Sequence, residues 1–215
     1  MIVPTMTSKE LLMEIARDYS IVMNKAMYLT ESLRRLAIKS KEKYVHRVFD
    51  YKSKQKNNWL IIVDYYVKEP TFLVVVYYVD KYGLNGIMVN GDQQTLTHYT
   101  PHFLERYNER FLHEPDISKI ELLKRYLSKN SVSYMKYVPD TDDMKNRFFA
   151  RSREGVGLGY IETMSGILNT INHFKTFIAN DMIYENQQAN FNASGIAYET
   201  YWDEMFKHTR LGAYD

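Results

Sequence analysis

Two runs, Trp59 to Val67 and Thr71 to Val79, limit what this chain can fold into more than any other feature. Both are rich in β-branched and aromatic residues, and Lys68, Glu69 and Pro70 between them make a break of hairpin length, so they predict an antiparallel strand pair. A third strand, Leu84 to Val89, follows the turn at Lys81 to Gly83, and Asn90, Gly91 and Asp92 signal another turn. Much of the chain's tyrosine, 19 residues in all, alternates with aliphatics here. That pattern suits a half-wetted sheet, with rings buried and hydroxyls outside.

Ahead of these strands the period changes. Thr7, with Glu10 three residues later, forms a capping box, and Leu12, Ile15, Ala16, Tyr19, Met23, Ala26, Met27 and Leu33 then keep a helical spacing broken only by Thr30. A helix from Ser8 to about Ile38 is predicted, lying across a sheet or pairing with a second copy of itself. Residues Lys39 to Asn58 are polar and basic, with Tyr44 to Phe49 as a short ambiguous piece, and read as helix continuation or linker. Between Arg34 and Lys56 there are nine basic residues against two acidic ones, in a chain whose net charge is +2. Such a segment can track a phosphate backbone, meet an acidic surface, or simply be solvated.

Beyond the strands, Thr100 and Pro101 open a central helix, with Thr100 as cap and proline at the first helical position. A second helix follows over Ile117 to Lys129. Strands are then expected at Ser131 to Val138, Arg147 to Arg151, Tyr160 to Glu162 and Phe174 to Ile178, and a final helix around Tyr198 to His208. Gly155, Gly157 and Gly159 recur at period two. On a strand they share one face and leave a gap for close approach, and in a loop they could bind a phosphate, with a turn or bulged hairpin the more ordinary reading. Their spacing is not that of a dinucleotide or P-loop fingerprint. The fold class is α+β: an antiparallel sheet, two central helices against one face, and a long N-terminal helix in front. Residues 1–58 form the helical segment and basic linker, 59–178 the α+β domain, and 179–215 a tail.

His102, Arg106 and Arg110 recur at i, i+4 and i+8 of the central helix, beside a second stripe of Phe103, Tyr107 and Phe111. One side therefore buries aromatics while the next offers an imidazole beside two cations, a combination suited to a phosphodiester. The same spacing also describes an ordinary amphipathic helix whose Glu105, Arg106, Glu109 and Arg110 are solvated.

This His-x-x-x-Arg-x-x-x-Arg helix, the helix after it, and the strands ending in Lys175, Thr176 and Phe177 resemble small bacterial RelE-like domains. These belong to the barnase–EndoU–colicin–RelE ribonuclease assemblage, and the resemblance spans roughly Thr100 to Ile178. The chain departs from that pattern in its length, its N-terminal helix, the sheet before the motif and the insertion from Glu162 to His173. The resemblance implies metal-independent RNA cleavage in which the ribose 2′-hydroxyl attacks the adjacent phosphate. His102 would then be acid or base, Arg106 and Arg110 phosphate clamps, and Arg151 and Thr176 would line the same cleft. Tyr160 would stack on a base. Arg34, Arg35, Lys39, Lys41, Lys43 and Arg47 would track the RNA backbone.

Other chemistries have less behind them. With no cysteine there is no thiolate metal site, disulfide or cysteine nucleophile. Pro101 keeps His98 off the face of His102, and no Glu follows His98 as in the zinc-protease motif. A Ser-His-Asp hydrolase would be expected to show a Gly-x-Ser-x-Gly elbow, and none appears. No cofactor is expected. The start lacks a basic and apolar leader, and no run approaches a membrane span, so a cytoplasmic protein is expected. A second class of function stays open: a non-catalytic assembly protein that uses its N-terminal helix to bind a protein partner or a second copy.

Overall fold

The Thr7 hydroxyl accepts from the Glu10 backbone N–H, and the Glu10 carboxylate accepts from that of Thr7, closing the capping box that starts α1, Ser8–Ser40. Lys41, in the left-handed region at φ 57°, ends it. The structure is a computed structural model and describes residues 1–66, 69–91, 95–130, 133–138, 147–164 and 170–183. The expected helix at Tyr198 to His208 lies outside the described residues.

Nine strands among the described residues form one sheet. They are β1 (Tyr44–Lys52), β2 (Asn58–Tyr66), β3 (Glu69–Asp80), β4 (Gly83–Val89), β5 (Thr95–Tyr99), β6 (Tyr134–Val138), β7 (Arg147–Arg151), β8 (Gly155–Thr163) and β9 (Thr170–Ala179). Their order is β1-β2-β3-β4-β5-β9-β8-β7-β6, antiparallel at every junction except β5–β9, which is parallel. That junction exists because the chain leaves β5 for two helices, α2 (Pro101–Tyr107) and α3 (Lys119–Asn130), goes to the far edge at β6, and returns through β7 and β8. A parallel pair needs such a crossover.

The sheet is covered on both faces, giving the architecture expected from sequence: an α+β fold with a long helix on one side and two central helices on the other. Trp59, Ile61, Val63, Val74 and Val76 face α1, while Leu60, Ile62 and Val75 face α2 and α3. This explains why these strands read as continuous apolar runs rather than alternating ones. Each such side chain, nearly or fully buried, contributes roughly 1.5–3 kcal/mol.

Several expectations need correction. Residues 44–52 are not helix continuation or linker but the edge strand β1, paired with β2 along its whole length. Among the strand tyrosines, Tyr51, Tyr77 and Tyr78 are half-buried as expected, but Tyr65 and Tyr99 are buried to within a few per cent. Met27, placed on the core stripe by its spacing, points outward, and Asp18 and Glu14 are buried instead. The central helix does not run evenly to Phe111. It becomes a π-helical turn over Asn108–Leu112, in which the His113 N–H donates to the Asn108 carbonyl at 2.8 Å.

The three period-two glycines lie within β8, all on the α2 side. A Cβ on Gly155 would meet Phe177, one on Gly157 would meet Phe174 and Phe103, and one on Gly159 would meet Phe148. The gap is filled by the protein's own aromatic core. Lys175 is the extra residue of a β-bulge that lets Phe174 and Phe177 both turn into it.

Candidate functional site

Thr100 fixes α2 at both ends of its hydroxyl. It accepts from the Phe103 N–H at 3.3 Å and donates to the Phe174 carbonyl of β9 at 2.7 Å. Phe103, Leu104 and Tyr107 then enter the core, which leaves His102 exposed and Arg106 partly so. The Arg106 Nε–H donates to His102 Nε2 at 3.5 Å, and its Nη1 pairs with Glu109 at 2.6 Å. Glu105 pairs with Lys119 at 3.1 Å.

Arg110 leaves this stripe because the π turn rotates it toward the sheet. Its Nη1 donates to the Phe177 carbonyl at 2.6 Å and approaches Thr176 Oγ1 at 3.5 Å, beyond Phe174, where β5 stops covering β9. A charged hydrogen bond to a backbone carbonyl is worth about 1.5–3 kcal/mol, whereas an exposed pair such as Arg106–Glu109 is worth about 0–1 kcal/mol. Arg110 is therefore committed to holding β9, while Arg106 can be exchanged onto another anion at little cost.

The remaining predicted residues lie elsewhere. Phe148 and Ala150 face the α2–α3 core, so strand alternation puts Arg151 on the opposite face of the sheet. Tyr160 is on that face too, its ring stacked on His173 at 4.8 Å with Lys175 Nζ 5.3 Å from its centre. Arg34 and Arg35 pair with Glu31 at 2.7 and 3.0 Å, and their two guanidinium groups hold its carboxyl down at about 2. Arg47 donates to the His46 carbonyl, and Lys39, Lys41 and Lys43 are exposed where α1 passes into β1. The basic segment thus borders the α1 side of the sheet. Of the predicted catalytic set the structure brings His102 to Arg106 and, separately, Arg110 to Thr176.

Sequence reasoning missed a partly buried chain of polar groups on the α1 side. His98 Nδ1 and His173 Nδ1 are 2.9 Å apart, His98 Nε2 is 2.9 Å from Asn85 Oδ1, and His173 Nε2 is 2.9 Å from Glu162 Oε2. Because the Asn85 amide nitrogen donates to the Gly83 carbonyl, its oxygen accepts from His98 Nε2–H. His98 Nδ1 must then accept from His173. Burial first, then the charges of His173 and Lys175, push the His98 imidazole down to about 3. The His98–His173 pairing is set by the β5–β9 register, for which the sequence carries no local signal.

A pH dependence follows. With a folded value of about 3 against roughly 6.5 when unfolded, His98 takes a proton on unfolding, so its stabilising contribution is full above pH 6.5 and declines as pH falls toward 3. The decline approaches about 1.4 kcal/mol per pH unit. Carboxylates held low, such as Glu14 beside the Met1 ammonium, act below their ordinary range and leave pH 4.5–6.5 to His98 and His173, both held down first by burial. Urea unfolding across that window should show the slope, and His98→Asn should flatten it. An unchanged slope in the variant would refute the assignment.

Among the described residues, no helix is long and apolar enough to cross a membrane, and no group of three or more His, Cys, Asp or Glu side chains is placed to hold a metal ion. Compared with known proteins, the chain matches no family model, no curated protein and no solved structure.

Proposed function

We propose that the α2 surface centred on His102 and Arg106 binds and cleaves RNA in the RelE-like manner that the sequence resembles. The observation supporting this reading is the contact between an exposed imidazole and a guanidinium held by a 0–1 kcal/mol class of ion pair. A phosphate arriving at Arg106 displaces Glu109 and His102 together, since a guanidinium fork matches phosphate oxygens better than either. The freed His102 Nε2 takes the ribose 2′-hydroxyl proton as the 2′-oxygen attacks phosphorus. The imidazolium returns that proton to the departing 5′-oxygen, leaving a 2′,3′-cyclic phosphate. Arg106 stabilises charge on the phosphoryl oxygens, while Arg110 holds β9 through the Phe177 carbonyl.

The test is purified protein with mixed tRNA and mRNA in excess EDTA, with and without ribosomes, beside His102→Ala and Arg106→Ala. Cleavage by the parent that falls roughly a hundredfold or more in His102→Ala is the expected result. Absence of cleavage by the parent under every condition overturns the catalytic reading. A second reading, a non-catalytic assembly protein, draws on the outward side chains of α1, where Met13, Met27, Tyr28 and Ile38 are each more than half exposed. Self-association lost on replacing Met27 and Tyr28 with polar residues would favour it.

A further inference from the structure

At the opposite end of the sheet from Arg151, the edge strand carries an arrangement that owes nothing to α2. His46 on β1 stands directly opposite Asp64 on β2. Both point toward α3, as do Val48 and Ile62 beside them. Asp64 Oδ1 accepts from the Tyr44 hydroxyl at 3.0 Å and lies 2.8 Å from His46 Nδ1. An ionised carboxylate can only accept, so Nδ1 carries the proton and Nε2 presents its lone pair. That lone pair meets Ser128 Oγ of α3 at 3.2 Å. One turn earlier on α3, Lys124 pairs with Asp50, four residues beyond His46 on the same face of β1. The Lys124–Asp50 and Ser128–His46 contacts are therefore successive rungs between helix and strand, and the serine is held in register with its base.

We propose that Ser128, His46 and Asp64 form a nucleophilic acyl-transfer site acting on small carboxylic esters with good leaving groups. The roles follow from geometry rather than chain order: hydroxyl to imidazole, imidazole to carboxylate. His46 and Asp64 side chains are 28% and 19% exposed, so the base is reachable while the orienting carboxylate is more shielded. Ser128 Oγ attacks the ester carbonyl carbon and its proton passes to His46 Nε2. The tetrahedral adduct expels the alcohol oxygen, which takes that proton. Water, deprotonated by His46, then attacks the acyl-Ser128 carbonyl and releases the acid, and the serine recovers its proton. Ester and water become acid and alcohol with no change of oxidation state. The neighbouring ammonium of Lys124 is already shared by Asp50 and Glu121, so charge on the carbonyl oxygen falls largely to solvent. This is the physical reason for specifying activated esters.

A fluorophosphonate probe tests the proposal directly on the full chain, read by intact mass and peptide mapping, beside turnover of p-nitrophenyl acetate. The expected result is a single adduct on Ser128, absent in Ser128→Ala and formed roughly a hundredfold more slowly in His46→Gln. Asp64→Asn should slow it as well, with unchanged far-UV circular dichroism showing that the fold persists. A serine that merely ties α3 to β1 would stay unlabelled. That outcome, or labelling at the parent rate in His46→Gln, overturns the proposal.

Discussion

Gly159→Ala is expected to cost about 3 kcal/mol or more, an unusually large loss for the addition of one methyl group. The new Cβ would be driven into the His173 carbonyl oxygen of the neighbouring strand and would lie 2.7 Å from Phe148 Cζ. Backbone cannot yield there without breaking the β8–β9 ladder. Gly157→Ala should be costly but less so, because its obstacles are the rings of Phe174 and Phe103 rather than backbone. Those rings have little room, since Phe103 and Phe174 pack edge-on at 5.1 Å and Phe174 and Phe148 at 5.0 Å. Gly91→Ala is the control: nothing lies within 4 Å of its Cβ position, and its effect should stay within about 0.5 kcal/mol. Thermal unfolding of the three variants gives the comparison. Equal losses for Gly159→Ala and Gly91→Ala would mean that β8 does not pack as described.

The glycine run also shows how far the sequence could be read. Of the readings that period two left open, the strand with a shared face and a close approach is the one found, although the strand was expected only from Tyr160, and nothing local could say that the approaching groups were Phe174, Phe177 and Phe148. The strands β2, β3 and β4 and the caps at Thr7 and Thr100 were legible because their signals are local: β-branched runs, turn residues and capping hydroxyls. Strand β1 was not. Its sequence mixes His46, Arg47, Asp50 and Lys52 with apolar residues because an edge strand tolerates charge, and that same charge made it look like a linker.

At the candidate site, the helical spacing of His102 and Arg106 carried through to a real contact. Arg110 departed from the stripe because Asn108 grips the following loop, accepting from the Glu114 N–H and donating to the Glu114 carbonyl, and the helix widens into a π turn to allow it. Arg151 fell on the wrong face for a reason that only strand parity and the position of the core could supply. The buried polar hubs were less visible still. Asp18 is fully buried and accepts from Ser53, Asn57 and Trp59, all more than thirty residues away. In the sequence it is merely an acidic residue on a helix.

The hub at Glu154 yields the second large expected effect. Its carboxylate accepts from the Tyr107 hydroxyl at 2.7 Å, Arg125 Nη2 at 2.8 Å and Asn130 Nδ2 at 2.6 Å, while its own N–H donates to Asn130 Oδ1 at 3.1 Å. One turn between β7 and β8 thereby fastens α2 and α3 to the sheet. Glu154→Ala strands two buried donors, at about 1–3 kcal/mol each, and removes the partner of Arg125, whose Nη1 already lacks one. Arg125 is a third exposed, so water offsets part of its loss. A total near 4 kcal/mol is expected in urea unfolding. Glu154→Gln should recover about half, because the amide oxygen in the Oε2 place still accepts from Tyr107 and Asn130 while its nitrogen meets the donor of Arg125. A loss below about 1 kcal/mol in Glu154→Ala would show that the hub does not hold the helices. Since Tyr107 and His102 belong to the same short helix, releasing Tyr107 should also weaken any RNA cleavage, although Glu154 makes no contact with His102 or Arg106. That separates a positioning effect, recovered with stability in Glu154→Gln, from the loss in His102→Ala, which leaves stability unchanged.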